Sequence, residues 1–467
     1  MWLTNVSRSR SIREISDDSV GRRVTAPLKW LLPGLGIKRW LVLLVFGVAL
    51  LLDGFYRWQV AEGNSFRINE NVDAFVDDYF SPSYLTWVFI AGGVLAIIFG
   101  MSRWLGSMTR AARAGEHGLL DTLLVRRLEQ GYKIVAIGGG TGLSTLLRGL
   151  KRRTTNLTAV VTVSDDGGSS GRLQKELGVL PPGDVRNCLV ALADDEALVT
   201  DLFRYRFEEG GLSGHSFGNL FLAAMSGITG NFDKAIKESS RVLNIVGRVL
   251  PTTLSVVQLC AELDDGTIVE GESNIPKAHG TIKRVFFDPE RAAPLDEVIE
   301  AIRGADAIVL GPGSLFTSIL PNFLVDRITS EVAHSNAVKI YVCNVMTQPG
   351  ETDRMTAADH VEALFRNAGA RVCDYVIVND EPPHKLLGTY LEERQEPVVP
   401  DIVRIEELGL GVAREQMISE TVTVRHDPEK LADAVIEVID RAVAERATLV
   451  KPASAYAKAS SAAALRR

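Results

Sequence analysis

The chain has 467 residues, of which 23% are charged and 46% are hydrophobic, a composition typical of a folded protein with room for more than one domain. Its net charge of −7 argues against a protein that binds nucleic acid through a general excess of positive charge. The four cysteines, Cys188, Cys260, Cys343 and Cys373, include no closely spaced pair, so neither a zinc site nor a disulfide framework is predicted.

Two apolar stretches near the N-terminus predict a transmembrane hairpin. The second, Tyr84 to Met101, contains about 18 residues without a charge, close to the length that crosses a hydrocarbon core. The first, Trp40 to Leu52, reaches that length only if it continues past Asp53 to Tyr56. Two buried core helices of a soluble domain are the alternative interpretation.

The distribution of charge predicts the orientation of this hairpin. Residues 1–39 carry eight Lys or Arg against three acids, whereas the segment 53–81 carries two Arg against six acids. Because positive segments remain in the cytoplasm, we expect a multi-pass inner-membrane protein with both termini and the main domain in the cytoplasm. The predicted order is a disordered basic N-terminus (1–29), two transmembrane helices with an acidic external loop (30–105) and a basic helical linker (106–131).

From residue 132 onward, apolar strands alternate with helical patterns. This alternation predicts an α/β domain over 132–447, a Rossmann-like, mostly parallel sheet with helices on both faces. The predicted strands are Lys133–Ile137, Leu157–Val163, Thr253–Cys260, Thr281–Phe287, Ala307–Leu310, Lys339–Cys343 and Tyr375–Val378. An amphipathic helix is expected near Pro428–Ala444, and the small, polar residues 448–467 are expected to be a disordered tail.

A glycine-rich turn follows the first predicted strand of this domain. It consists of Gly138, Gly139, Gly140, Thr141 and Gly142, and a helical pattern begins directly after it. Glycines let the backbone approach a ligand closely, and a helix N-terminus offers free N–H groups to an anion. The turn therefore predicts phosphate binding, although it matches neither the dinucleotide fingerprint nor a P-loop, and a purely structural tight turn is the alternative.

The loop after the second strand, SDDGGSSG, carries two adjacent carboxylates. Asp165 and Asp166 stand where a doubly wound fold holds an acid against a ribose. The same pair is a candidate magnesium site, and magnesium is the only cofactor that the sequence suggests. Because Asp-Gly-Gly is also common turn chemistry, a solvated turn is the alternative.

Polar residues at the start of two predicted helices extend this candidate site. Arg186 and Asn187 belong to PPGDVRN, where a cation in the first helical turn opposes the helix dipole and predicts a nearby anion. His215 and Asn219 belong to GHSFGN, where the histidine either contacts a phosphate or simply caps the helix.

A second glycine loop, GPGSLFTS, follows the strand Ala307–Leu310. Its candidate ligand-binding residues are Gly311, Gly313, Ser314, Thr317 and Ser318, and the next strand ends at Asn344, suited to a sugar or ribose. Two such loops on one sheet predict a ligand with more than one phosphate, lying across a topological switch point.

With these motifs in view, the sequence resembles the gluconeogenesis factor family, relatives of the 2-phospho-L-lactate transferases. The resemblance rests on GGGTGLS, VSDDGGSSGRL, PPGDVRNCL, GHSFGNL, GPGSLFTS and NVMTQPGETD, and covers residues 133–444. It implies a Rossmann-like domain that binds UDP-sugars such as UDP-N-acetylglucosamine or UDP-glucose, and a role in cell shape and envelope maintenance during gluconeogenic growth.

The resemblance also bears on the nucleotide contacts and on catalysis. It implies that Tyr390 and Arg425 contact the nucleotide, by stacking on the base and by pairing with a phosphate or base edge. Packing of Tyr390 and a surface position for Arg425 are the alternatives. No catalytic residue is assigned: a UDP-sugar-binding regulator is the first hypothesis, and a magnesium-dependent transferase that uses a guanosine nucleotide is the second. Self-association stays open.

Overall fold

The computed structural model describes residues 38–61, 82–112, 127–194, 196–420 and 424–464. The chain divides between Arg127 and Leu128 into two compact units. The expected disordered segment 1–29, the acidic loop and most of the linker lie outside the described residues.

The first unit contains two helices that pack closely on each other, α1 (Lys38–Ala61) and α2 (Pro82–Ala112). A Cβ atom at Gly93 would stand 2.8 Å from the Gly47 carbonyl oxygen, and one at Gly54 would stand 2.7 Å from Ile90. Glycines at these positions therefore let the two backbones meet, as small residues do between membrane helices.

The outer faces of both helices are apolar. Trp87 and Leu95 are each about two-thirds exposed, at 65% and 67%. By length and composition one segment of the described residues, Thr86–Arg103, is long enough to cross a membrane, and the apolar part of α1, Val42–Tyr56, is shorter. The two-helix membrane hairpin therefore stays a prediction.

The second unit is built on a seven-stranded sheet. The strands of the unit are, in chain order, β1 (Ile134–Gly138), β2 (Leu157–Val161), β3 (Arg248–Pro251), β4 (Gln258–Leu263), β5 (Ile268–Glu270), β6 (Ile282–Asp288), β7 (Ala307–Leu310), β8 (Val338–Val342), β9 (Tyr375–Asn379), β10 (Gly411–Glu415), β11 (Ile418–Glu420) and β12 (Val424–His426). The large sheet has the order β10-β9-β8-β7-β1-β2-β3, and every pairing in it is parallel. The chain winds outward in opposite directions from β1 and β7, so the topological switch point lies between them.

Helices cover both faces of this sheet. They are α3 (Gly140–Leu150), α4 (Gly168–Leu177), α5 (Gly183–Leu192), α6 (Glu196–Arg204), α7 (Phe217–Thr229), α8 (Phe232–Val242), α9 (Asp296–Arg303), α10 (Leu320–Phe323), α11 (Ile328–His334), α12 (Ala357–Ala368), α13 (Leu387–Glu392), α14 (Ile402–Glu407) and α15 (Pro428–Ala464). One core contains Val135 and Ile137 of β1, and the opposite core contains Ile134 and Ala136. Burial on both faces explains the continuous apolar strands and confirms the predicted α/β architecture.

Two predicted strands belong to a different sheet. The strands expected at Thr253–Cys260 and Thr281–Phe287 correspond to β4 and β6, which pair antiparallel with each other. Together with β5 they form a separate three-stranded sheet. The sequence pattern missed β3 and β10, the two edge strands of the large sheet, because neither is a continuous apolar run: β3 begins with Arg248 and ends with Pro251, and β10 is half-exposed and contains polar residues.

The C-terminal helix is longer than predicted. Helix α15 runs to Ala464, through most of the segment 448–467 for which disorder was expected. Its sequence there contains seven alanines among residues 453–464, and alanine has the highest helix propensity.

Candidate functional site

The two glycine segments meet at the switch point. Because β1 and β7 pair in register, with Ile137 opposite Leu310, the loops that follow them emerge side by side. A Cβ atom at Gly138 would stand 3.7 Å from the Gly311 Cα, and one at Gly313 would stand 3.4 Å from the Gly139 carbonyl oxygen. The segments predicted to share one crevice do lie together on one edge of the sheet; that they bind a ligand stays a prediction.

The glycine segment at the start of α3 is contacted by a carboxylate. Gly139 occupies the N-cap position without a side-chain cap, and Gly140 adopts φ +65°. Asp184 accepts a hydrogen bond from the Gly140 N–H, and its carboxylate lies against Gly139 so closely that no Cβ atom would fit between them. Asp184, which lies in the first turn of its own helix α5, thus reaches across to α3.

The second glycine loop is fixed by side chains from the segment that follows β8. The Gly313 N–H donates to Asn344 Oδ1 at 3.1 Å, and Asn344 Nδ2 donates back to the Gly313 carbonyl at 2.8 Å. Gln348 donates to the Ser314 hydroxyl at 2.7 Å, and the Thr317 hydroxyl donates to Glu351 at 3.3 Å. Asn344 therefore acts in this structure as a clamp on the loop.

A buried amide below the crevice joins three strand ends. Asn322 donates to the carbonyls of Gly138 at 3.3 Å and Ser318 at 2.9 Å, and it accepts from the Thr252 hydroxyl. Since Thr252 follows β3, this one side chain links the ends of β1 and β3 with the turn after β7.

Arg186 is held by neutral oxygens. Its guanidinium donates to the Ser216 hydroxyl at 2.8 Å, to Asn219 Oδ1 at 3.0 Å and to Asn187 Oδ1 at 2.9 Å. Burial lowers the pKa of this guanidinium. Among the described residues no carboxylate lies within ion-pair distance of Arg186, so its orientation is fixed while its charge is not neutralised by a direct partner.

His215 is buried and paired with a serine. Its Nδ1 lies 3.0 Å from the Ser169 hydroxyl, at the first turn of α4. The N-cap of α7 is Ser216, whose hydroxyl accepts from the Asn219 N–H at 3.3 Å. The interpretation of His215 as a helix cap is therefore wrong, because the neighbouring serine fills that position.

The adjacent carboxylates Asp165 and Asp166 diverge. Asp165 accepts from the Gly167 N–H at 2.9 Å and lies against Gly183, whereas Asp166 accepts from the Ser273 N–H at 2.9 Å. Within the described part of the chain, no group of three or more His, Cys, Asp or Glu residues is placed to hold a metal ion. The two carboxylates have different hydrogen-bond partners, and a magnesium ion at Asp165 and Asp166 stays a prediction.

Three further carboxylates with raised pKa values line the crevice. Burial is the largest cause in each case, and it raises the pKa of Asp184 to about 7, of Glu272 to about 8 and of Glu351 to about 7. The nearby charge of Asp165 raises the pKa of both Asp184 and Glu272 further. A raised acid pKa in a cleft is a common property of functional sites.

Tyr390 and Arg425 lie near each other on the C-terminal side of the domain. The Tyr390 hydroxyl accepts from the Val424 N–H at 2.9 Å, and its ring packs with Val345 and Met346, which follow β8. Arg425 is exposed on β12, opposite Ser419 of β11. The packed alternative describes Tyr390 better than a free stacking platform, and the surface alternative describes Arg425.

Comparisons with known proteins show which family the chain resembles in sequence and fold. A family model described as 2-phospho-L-lactate transferase CofD matches residues 134–418. A protein of the gluconeogenesis factor type from Nostoc sp. is 49% identical over 91% of this chain and 96% of its own length. The gluconeogenesis factor of Bacillus subtilis is 52% identical over 66% of this chain and 98% of its own length. A crystal structure of a UPF0052 family member from Bacillus halodurans, 51% identical, superposes with a TM-score of 0.64 over 66% of this chain and 99% of that one.

Proposed function

Since the chain belongs to the gluconeogenesis factor family, which is related to CofD, we propose that it is a membrane-anchored protein whose cytoplasmic domain binds a UDP-sugar. In this proposal the bound state reports the supply of envelope precursors, and the protein supports cell shape during growth on gluconeogenic carbon. The family assignment rests on the relatives, and the proposed ligand rests on the geometry of the crevice.

The observation that carries the proposal is the backbone contact between the two glycine segments. Gly138 and Gly311 end neighbouring strands at the switch point, where α/β sheets bind their ligands. Two adjacent glycine loops, one of them at the N-terminus of helix α3, suit the two phosphates of a nucleoside diphosphate. Arg186, oriented by neutral oxygens, supplies a positive charge that has no direct ion-pair partner among the described residues.

A binding experiment tests this assignment. A fragment that begins at Leu128 corresponds to one compact unit, and the Bacillus subtilis relative matches 66% of this chain over 98% of its own length. We expect UDP-N-acetylglucosamine or UDP-glucose without magnesium to raise its melting temperature by several degrees, since a ligand at about 100 times its Kd adds about 2.7 kcal/mol of stability. No response to any UDP-sugar contradicts the proposal.

A magnesium-dependent transferase that uses a guanosine nucleotide is the second candidate. The CofD family model and the carboxylates beside the glycine segments favour it. Magnesium commonly binds through one or two carboxylates together with the phosphates of a nucleotide, so Asp165 or Asp184 is the candidate ligand. Stabilisation by GDP that requires magnesium, accompanied by product formation, favours this candidate over the first.

The membrane anchor is tested separately. The outward apolar side chains of α1 and α2 support insertion of this pair into a bilayer. We expect the full-length protein to stay in the membrane pellet after washing at high salt and alkaline pH, and the fragment that begins at Leu128 to be released. Release of the full-length protein contradicts the anchor and leaves the ligand site untouched.

A further inference from the structure

A short segment from the separate antiparallel sheet closes one side of the crevice. It joins β5 to β6 and includes Gly271, Glu272 and Ser273. Ser273 donates its N–H to Asp166 after β2, and the Pro276 carbonyl presses against Gly350 after β8 so closely that Gly350 has no room for a Cβ atom. We call residues 271–278 the bridging segment, because it connects the loops on either side of the switch point.

Glu272 is the residue of the bridging segment that faces the crevice. The charges that act on it most strongly are those of Asp165, then Asp184, then Glu351, and these residues belong to three different crevice loops. Burial is the largest cause of its raised pKa. Both neighbours of Glu272 in the chain contact the loop after β2: the Ser273 N–H donates to Asp166 at 2.9 Å, and a Cβ atom at Gly271 would collide with the Asp166 carboxylate. Glu272 is therefore placed beside the crevice loops, and no ion pair among the described residues includes it.

The charges of the crevice assign the two parts of a nucleotide sugar to different walls. The negatively charged phosphates of the ligand are favoured at the glycine segments and at Arg186. They are disfavoured beside a carboxylate, because like charges repel. The uncharged, hydroxyl-bearing ring suits the acidic wall, which consists of Asp184, Glu272 and Glu351, because a carboxylate accepts hydrogen bonds from hydroxyls and a neutral carboxyl also donates one. The neutral form of Asp184, favoured by its burial beside Gly140, reduces repulsion where the two walls meet.

On this basis, and resting on the proposed UDP-sugar function, we infer that Glu272 is a specificity-determining residue that hydrogen-bonds the sugar ring of the ligand. The uridine diphosphate part then lies on the glycine segments, and the bridging segment sets which sugars fit. The interaction is a polar contact with substrate hydroxyl or amide groups and involves no covalent step.

The test compares a ligand with and without the sugar. In buffer containing a metal chelator, the Kd of UDP-N-acetylglucosamine and of UDP is measured for wild type, Glu272→Ala, Glu272→Gln and the control Glu270→Ala. Glu270 is exposed on β5, two residues away in the chain. Binding affinity falls strongly when a hydrogen bond between a site and a substrate hydroxyl is missing. We therefore expect Glu272→Ala to raise the Kd of the UDP-sugar about tenfold or more.

The outcomes are distinguishable. Weakened UDP-sugar binding with unchanged UDP binding supports the assignment, as does partial recovery in Glu272→Gln, whose amide keeps hydrogen-bonding capacity. Equal weakening of both ligands, or no weakening of either, overturns the role of Glu272. Failure of wild type to bind either ligand overturns the proposed function itself, and unchanged binding by Glu270→Ala shows that the effect does not come from a general loss of negative charge.

Discussion

The two walls of the crevice are built on different physical principles. The glycine wall, from β1 and β7, is made of backbone in van der Waals contact and is fixed by the side-chain amides of Asn322 and Asn344. The acidic wall is made of carboxyl groups from separate loops, and burial raises the pKa of Asp184, Glu272 and Glu351 toward neutrality. Steric fit therefore determines which ligand groups the glycine wall accepts, and the protonation state of the carboxyl groups determines which ligand groups the acidic wall accepts.

This difference predicts two kinds of response to substitution. A side chain added at Gly142 of the glycine wall should abolish ligand binding, because a Cβ atom there collides with the Pro312 backbone. A change in the acidic wall should alter stability with pH and tune affinity. Substitution of Arg186 should have an intermediate effect on ligand binding. Its positive charge attracts the ligand, while uncharged hydrogen-bond partners fix its position.

The largest effect is expected for Gly142→Val. A Cβ atom at Gly142 would stand 2.7 Å from the Pro312 carbonyl carbon and 3.0 Å from the Gly313 nitrogen, so the two glycine segments must separate. We expect loss of measurable UDP-sugar stabilisation in the fragment that begins at Leu128, followed by thermal denaturation. Gly211→Val is the matched control, because a Cβ atom there meets nothing within 4 Å; equal ligand responses from both variants would place the ligand elsewhere.

The contrast also explains what the sequence could predict. The glycine wall was predictable because close backbone approach and the positive φ of Gly140 and Gly311 require glycine. These glycines therefore appear in the sequence directly after each strand. The acidic wall was not predictable from the sequence. Glu272 comes from an antiparallel sheet whose strands β4 and β6 have the sequence pattern of further strands of the parallel sheet. Only tertiary packing brings that carboxyl to the other loops.

Arg186→Ala should weaken binding without removing the crevice. A hydrogen bond to a charged group contributes about 1.5–3 kcal/mol, so we expect the Kd of UDP-N-acetylglucosamine to rise about 10- to 100-fold. Arg186→Lys should recover only part of the loss, since one ammonium cannot bond Ser216, Asn219 and the ligand in the same geometry. Titration calorimetry measures the Kd of both variants.

Arg204→Ala, at an exposed position on α6, is the control. An unchanged Kd for Arg186→Ala would exclude contact of Arg186 with the ligand.

The acidic wall should make stability depend on pH. The folded pKa of Glu351, about 7, lies above the ordinary value for an unfolded glutamate, so its protonated form favours the folded state. That contribution is complete below about pH 4 and is lost as pH rises through 7. We expect Glu351→Gln to raise the melting temperature relative to wild type by a few degrees at pH 8 and by less at pH 5. Glu290→Gln, at an exposed position, is the control; a difference that does not change between pH 5 and pH 8 would contradict the buried, titrating carboxyl.

The smallest effect is expected outside both walls, at Tyr390→Phe. This change removes the hydroxyl that accepts from the Val424 N–H and keeps the ring against Val345 and Met346. We expect a loss of about 0.5–1.5 kcal/mol in the free energy of unfolding, measured by urea denaturation. If the ring only supports β12, the UDP-sugar Kd should change less than threefold, because the packing that positions Arg425 is kept. A tenfold rise in Kd with unchanged stability would instead show that the hydroxyl itself contacts the nucleotide, and would move the site toward the C-terminal strands.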